Sequence, residues 1–250
     1  MWKLVALLFC LSLTARAQPR DDLLAFAAAS LTEAMHDAAR LWESNGNPRI
    51  RFNFAASAAL ARQLDQGAPA HLFAAADLAW MDWAQSRSLI VRETRRTLLG
   101  NRLVLIAPTD RTPPAITPAF DLLPLLGPSG RLAIGDPASV PAGTYAKQAL
   151  TTLGIWPALQ PRLARAESVR AALLLVERGE APLGIVFATD ATTARNIAVL
   201  ATLPPTTHDR IAYPFAIPRA GDTPAARRFL AFLAGPQATE LFSRRGFVTE

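Results

Sequence analysis

Apolar positions in this chain come in short unbroken runs, each followed by a stretch with helical spacing. Leu23 to Ala29 is one such run, as expected of a parallel strand covered on both faces. From Ser30 the period lengthens: Leu31, Met35, Ala38 and Trp42 fall at i, i+4, i+7 and i+11, which predicts a helix ending at Asn45-Gly46-Asn47-Pro48. The theme repeats with a strand over Ile50 to Ala56 and a helix over Ala58 to Gln66, closed by Gly67. A third unit has a strand over Leu72 to Ala76, Asp77 as helix cap, and a helix over Ala79 to Arg87. Strand and helix alternating through short links predict a parallel α/β sheet.

The strand Leu103 to Ala107 leads into a passage with Pro108, Pro113, Pro114, Pro118, Pro124 and Pro128, which suits neither a central strand nor a helix interior. Beyond it the alternation restarts. A strand is predicted over Arg131 to Ile134, a helix over Ala142 to Leu153, a short strand near Leu163, and a helix over Ser168 to Arg178. Strands over Leu183 to Phe187, Ile197 to Leu200 and Ile211 to Ile217 follow, and Thr223-Pro224 opens a helical tail. The expected organisation is a first lobe over 18–103, a second over 104–218, and C-terminal helices over 219–250 returning to the first lobe. Each lobe is expected to be a mostly parallel sheet flanked by helices. Ligands of such folds bind in the cleft beyond the carboxyl ends of the strands.

Composition changes this picture mainly at the start of the chain. A basic opening, Met1-Trp2-Lys3, precedes the apolar run Leu4 to Leu13 and the small-x-small site Ala15-Arg16-Ala17, so residues 1–17 read as a secretory signal peptide cleaved after Ala17. Periplasmic localisation follows from that reading. A lipid anchor at Cys10 is disfavoured by the bulky Phe9 before it. Cys10 is the single cysteine, so the mature chain would have no disulfide, thiol nucleophile or thiolate metal site. Cleavage also removes Lys3 and Arg16, two of the 26 basic residues, and the net charge falls from +6 to +4. The remaining arginines are scattered rather than grouped with aromatic residues, so no nucleic-acid partner is expected.

With about half of 250 residues apolar, a large core is assured, yet reactive constellations are few. His36, His71 and His208 lack metal-ligand spacing, and no nucleophile elbow, phosphate loop or dinucleotide fingerprint occurs. An enzyme is therefore not expected, nor is a cofactor. What recurs is a helix start just past a strand, at Ser30, Ser57, Pro141-Ala142-Gly143 and Glu167-Ser168-Val169. Such starts carry unpaired N–H groups and the positive end of the helix dipole, a site for an anion. Ser30-Leu31-Thr32-Glu33 also fits a capping box, so Ser30 reads either as a cap or as a ligand donor; Ser57 has no glutamate three residues on.

The segments Phe26-Ala-Ala-Ala-Ser-Leu-Thr, Leu60-Ala-Arg-Gln, Gly67-Ala-Pro-Ala-x-Leu-Phe, Ala76-Asp77 and Trp80-Met81-Asp82 resemble the periplasmic molybdate-binding proteins of ABC transporters. So do Thr97-Leu-Leu-Gly-Asn, Gly135-Asp-Pro, Val140-Pro-Ala-Gly, Ala181-Pro-Leu-Gly-Ile-Val, Tyr213-Pro and Gly235-Pro-Gln-Ala, in order along the mature chain. The resemblance implies a two-lobed class II periplasmic-binding-protein fold. It implies a monomer that hands molybdate or tungstate to an inner-membrane ABC permease. By the same resemblance the ligands are Ser30 and Ser57 from the first lobe and the amides of Ala142 and Val169 from the second. Molybdenum is then held as the oxyanion, with no direct protein ligand to the metal. A tyrosine hydroxyl implied at position 187 is missing, because the residue is Phe187. Thr144 and Thr189 are candidates to replace it. The departure keeps open another small oxyanion such as sulfate, and a secreted serine hydrolase using Ser30 or Ser57 is the remaining alternative.

Overall fold

The computed structural model describes residues 22–109 and 121–249. The signal peptide read over 1–17, and Pro113, Pro114 and Pro118, lie outside the described residues. The first half runs β1 (Leu23–Ala28), α1 (Thr32–Ser44), β2 (Ile50–Ala55), α2 (Ser57–Asp65), β3 (Leu72–Ala74), α3 (Leu78–Ser86), β4 (Arg96–Gly100) and β5 (Leu103–Pro108). Then come α4 (Leu123–Leu126), β6 (Leu132–Gly135), α5 (Pro141–Thr152), α6 (Trp156–Leu159), β7 (Leu163–Ala166), α7 (Val169–Glu177), β8 (Leu183–Phe187), α8 (Ala188–Ala191) and β9 (Ile197–Thr202). The chain ends with β10 (Ala212–Ala216), α9 (Pro224–Leu233), α10 (Pro236–Arg244) and β11 (Val248–Thr249).

These strands form two mixed sheets flanked by helices, ordered β11-β4-β10-β3-β1-β2 and β7-β6-β8-β5-β9. In the first, β1 lies parallel between β2 and β3, as its apolar run leads one to expect. In the second, β6 lies parallel between β7 and β8. The antiparallel pairs all involve strands next to the two places where the chain crosses between sheets. One crossing is Asn101-Arg102, between β4 and β5; the other is 203–211, between β9 and β10.

Two sequence expectations need correction. The strand predicted over Ile211 to Ile217 was placed in the second lobe, yet β10 pairs antiparallel with β3 and β4 and so belongs to the first sheet. An all-apolar strand announces burial on both faces but carries no signal for which sheet buries it. The strand β4 was not predicted, since Arg96 and Thr97 break the apolar run before Leu98-Leu99-Gly100. It takes strand form because β10 and β11 pair with it on either side.

The predicted stripe of α1 is its buried face: Ala34, Met35, Ala38, Ala39 and Trp42 are all buried. The Trp42 ring lies tilted against Phe229 and Phe232, at 5.2 and 5.5 Å between centroids, and so packs α9 against α1. Burying each such aromatic stabilises the fold by roughly 1.5–3 kcal/mol. The side of the cleft that holds β1 and α1 is thereby braced from behind. On the other side, a glycine sets the close approach of α5 to β6. A Cβ at Gly143 would lie 1.9 Å from the Gly135 carbonyl oxygen, so only glycine lets the first turn of α5 sit on the end of β6.

Candidate functional site

Ser30 follows β1 in a short 3-10 turn, Ala29–Leu31, that leads into α1. It is buried, and its hydroxyl caps neither helix. Of the two roles left open for it, the capping box is thus absent: Oγ lies 3.0 Å from the Tyr213 hydroxyl instead. Glu33, the other half of the expected box, reaches across the cleft to Arg170. The capping pattern is satisfied in sequence but overridden by two tertiary partners, a tyrosine and an arginine, that lie far off along the chain.

Ser57 is the first residue of α2 and is fully buried. Its Oγ accepts the Ala76 N–H at 3.0 Å. A hydroxyl has one proton and two lone pairs, so with the backbone donor on its oxygen side the proton is left to donate. Across the cleft, Ala142 sits in the first turn of α5 and Val169 opens α7. Backbone N–H groups at these positions have no intrahelical acceptor. Ser168, the N-cap of α7, accepts the Ala171 N–H at 3.1 Å.

Ser30, Ser57, Ala142, Val169 and Phe187 all line one cavity between the two sheets, together with Ala28, Ala29, Ala55, Ala56, Ala76, Val140, Pro141 and Ser168. The sequence picked out the first five, whereas Ser168 was read only as part of a helix start. The cavity is small, with small residues and backbone for much of its wall. None of the lining residues is charged. Four strand-to-helix turns therefore meet at one cavity that no charged side chain lines.

Phe187 closes the cavity at the end of β8, with its ring edge-on to Tyr145 at 6.3 Å and tilted on Tyr213 at 5.8 Å. Neither threonine considered as a substitute donor lines the cavity. The Thr144 hydroxyl donates to the Pro137 and Val140 carbonyls, at 3.0 and 3.3 Å. Thr189 accepts from Asn101 at 2.8 Å. Tyr213 and Asn101 were not singled out as functional from the sequence; a hydroxyl in an apolar strand and an amide at a crossover carry no local pattern. His71, one of the three histidines, accepts the Leu24 N–H at 3.0 Å and so ties the residue before β3 to β1 inside the first sheet.

The arginine nearest the cavity is paired with carboxylates. Arg170, next to Val169 on α7, donates to Glu33 of α1 at 3.1 Å, to Thr193 at 2.7 Å, and lies 2.5 Å from Asp190. A neighbouring pocket that shares Ala56 with the cavity is lined by two arginines, Arg62 and Arg165, and two carboxylates, Asp136 and Glu167. Asp77, beside Ala76, caps α3 by accepting the Trp80 N–H at 3.0 Å. Burial pushes its carboxyl up to about 6, against the opposing pull of that hydrogen bond. Among the described residues, no group of three His, Cys, Asp or Glu side chains is placed to hold a metal ion.

Comparison with known proteins was made on sequence and on structure. The family described as bacterial extracellular solute-binding protein matches residues 23–248. The molybdate-binding protein ModA of Escherichia coli is 48% identical over 227 residues, covering 89% of this chain and 87% of its own. Its counterpart in Haemophilus influenzae is 40% identical over 223 residues, covering 89% and 88%. Among solved structures, the periplasmic molybdate-binding protein of Azotobacter vinelandii has the same fold, with a TM-score of 0.78 at 24% identity over 90% of this chain and 98% of that one.

Proposed function

The chain belongs to the bacterial extracellular solute-binding proteins, and from that premise we propose that it is a periplasmic receptor that captures molybdate, or tungstate, and delivers it to an inner-membrane ABC permease. The observation that carries the reading is the single uncharged cavity on which Ser30, Ser57, Ala142 and Val169 converge from both sides of the cleft. A tetrahedral dianion accepts hydrogen bonds at every oxygen and donates none. Hydroxyl protons and first-turn amides match it without a cation that would attract any small anion. Hydrogen phosphate would bring a proton of its own, and no carboxylate or imidazole lines the cavity to accept it.

The molecule works as a non-enzymatic monomer. An oxyanion touching both walls binds the closed arrangement better than the open one, and that difference in affinity drives closure. The closed form is what the permease reads. Ion, fold and pairing of charges all favour binding over chemistry: a serine hydrolase needs a base beside its nucleophile, and the hydroxyls of Ser30 and Ser57 meet a tyrosine and a backbone N–H instead. Calorimetric titration of the mature chain with molybdate, tungstate, sulfate and phosphate tests the reading. Heat with the first two at one site per molecule is the expected result.

A second reading, a receptor for sulfate, is favoured by one observation: Phe187 lines the cavity without the hydroxyl that the resemblance implies there. Sulfate is smaller than molybdate, and it carries the same charge and the same four acceptor oxygens. The same titration separates the two, because a sulfate receptor binds sulfate more tightly than molybdate.

A further inference from the structure

Behind Ser30 lies a chain of side-chain hydrogen bonds whose direction is fixed at its far end. Asn101, in the crossover between β4 and β5, accepts the Arg102 N–H on Oδ1 at 2.8 Å, which assigns its amide orientation. Its Nδ2 therefore carries both protons, and these go to Thr189 Oγ1 at 2.8 Å and to Tyr213 Oη at 3.1 Å. Tyr213 Oη, already accepting, has one neighbour left for its own proton: Ser30 Oγ at 3.0 Å. Ser30 Oγ then accepts, which leaves its own proton to donate toward the cavity. Asn101, Tyr213 and Ser30 are all buried, so no solvent competes for these bonds.

We propose that Tyr213 is a positioning residue that acts through Ser30: the Asn101→Tyr213→Ser30 sequence of donors locks the serine as a hydrogen-bond donor to a fully deprotonated oxyanion. The proposal rests on the oxyanion reading of the cavity. It parallels Ser57, whose oxygen is occupied by the Ala76 N–H, so both serines are held in the donor sense by protein groups behind them. Burial keeps the Tyr213 phenol protonated, well above its ordinary range, which preserves the proton that the relay needs. Without that phenol the Ser30 hydroxyl is free to turn its lone pairs toward the ligand, where they repel it.

The test is a double-mutant cycle by titration calorimetry, with wild type, Tyr213→Phe, Ser30→Ala and the double variant titrated with sodium molybdate. Tyr213→Phe is expected to weaken binding about tenfold when Ser30 is present, and by no more than about twofold on the Ser30→Ala background. Equal losses on both backgrounds would assign Tyr213 a merely structural role, and no loss with Ser30 present would overturn the relay outright. Asn101→Ala probes the relay from its other end and covers the case in which Tyr213→Phe does not fold. It is expected to weaken binding as well, and an unchanged affinity overturns the proposal. Wild type is titrated with sulfate in parallel. If it binds sulfate alone, the choice of ion fails and the cycle is judged on sulfate by the same criterion; if it binds neither, both the oxyanion reading and the relay fall.

Discussion

Phe187 ends β8 with a bare ring edge on the wall of the cavity, where the resemblance implies a hydroxyl. One added donor to an anion is worth roughly 1.5–3 kcal/mol where it meets its acceptor. Phe187→Tyr is therefore expected to tighten molybdate binding by about tenfold or more, measured as Kd by calorimetry. A variant that folds and binds no better would mean that the cavity is shaped for another ion. The serines were legible from sequence as hydroxyls at strand ends, because their neighbours are small and apolar and a polar atom there needs a reason. Ser30's partner was not, since 183 residues separate it from Tyr213 and no spacing rule connects them. Its capping box was a false lead of a familiar kind: the local pattern fits, but long-range partners, the buried Tyr213 and the half-buried Arg170, bind both of its members.

At the level of elements, the helix starts carried most of the signal. Each strand-to-helix handover follows from a change of period, and α2, α5 and α7 begin within a residue or two of where the sequence puts them. Sheet membership did not follow, because β10 is as apolar as any central strand and could serve either sheet. The start of α3 holds a testable electrostatic feature. Asp77 caps it while buried, and its folded-state value is about 6 against an ordinary 3.8. A carboxyl raised on folding contributes stability that is complete below the unfolded value and is lost as pH rises through the folded one. The contribution of Asp77 is thus present near pH 4 and gone by about pH 7. Asp77→Asn keeps the acceptor for the Trp80 N–H and removes the buried charge. It is expected to raise stability at neutral pH by about 2 kcal/mol, the gain over wild type growing from near zero at pH 4 to its full size by about pH 7. Urea unfolding of both proteins across that range checks it; a variant less stable than wild type at pH 7 would contradict the assignment.

For the molecule as a whole, closure is the functional event on the proposed reading, and an ion pair, Glu33 with Arg170, spans the cleft beside the cavity. Glu33 comes from α1 on the first sheet, and Arg170 from α7 on the second, one residue from Val169. Arg170 remains paired with Asp190 and Thr193 on its own side when Glu33 is lost, so Glu33→Gln removes the bridge without stranding a buried cation. Affinity for molybdate is expected to fall about threefold to tenfold, because the closed state loses a contact that the open state never had. Small-angle scattering should show the ligand-free variant more open than wild type. Identical affinity and scattering would show that the pair contributes nothing to closure. The two-lobed plan was visible in sequence as an alternation interrupted by prolines. The pair across the cleft was not, because 137 residues separate Glu33 from Arg170 and no local pattern connects them.

The central claim is that neutral donors from both lobes select a fully deprotonated tetrahedral oxyanion of molybdate size. Competitive calorimetry on the mature chain addresses it most directly, with molybdate, tungstate, sulfate and phosphate titrated in turn under one buffer. One site per molecule, near-equal affinity for molybdate and tungstate, much weaker sulfate and no phosphate heat are predicted. Silence with molybdate and tungstate, or phosphate binding as tight as theirs, would contradict the account.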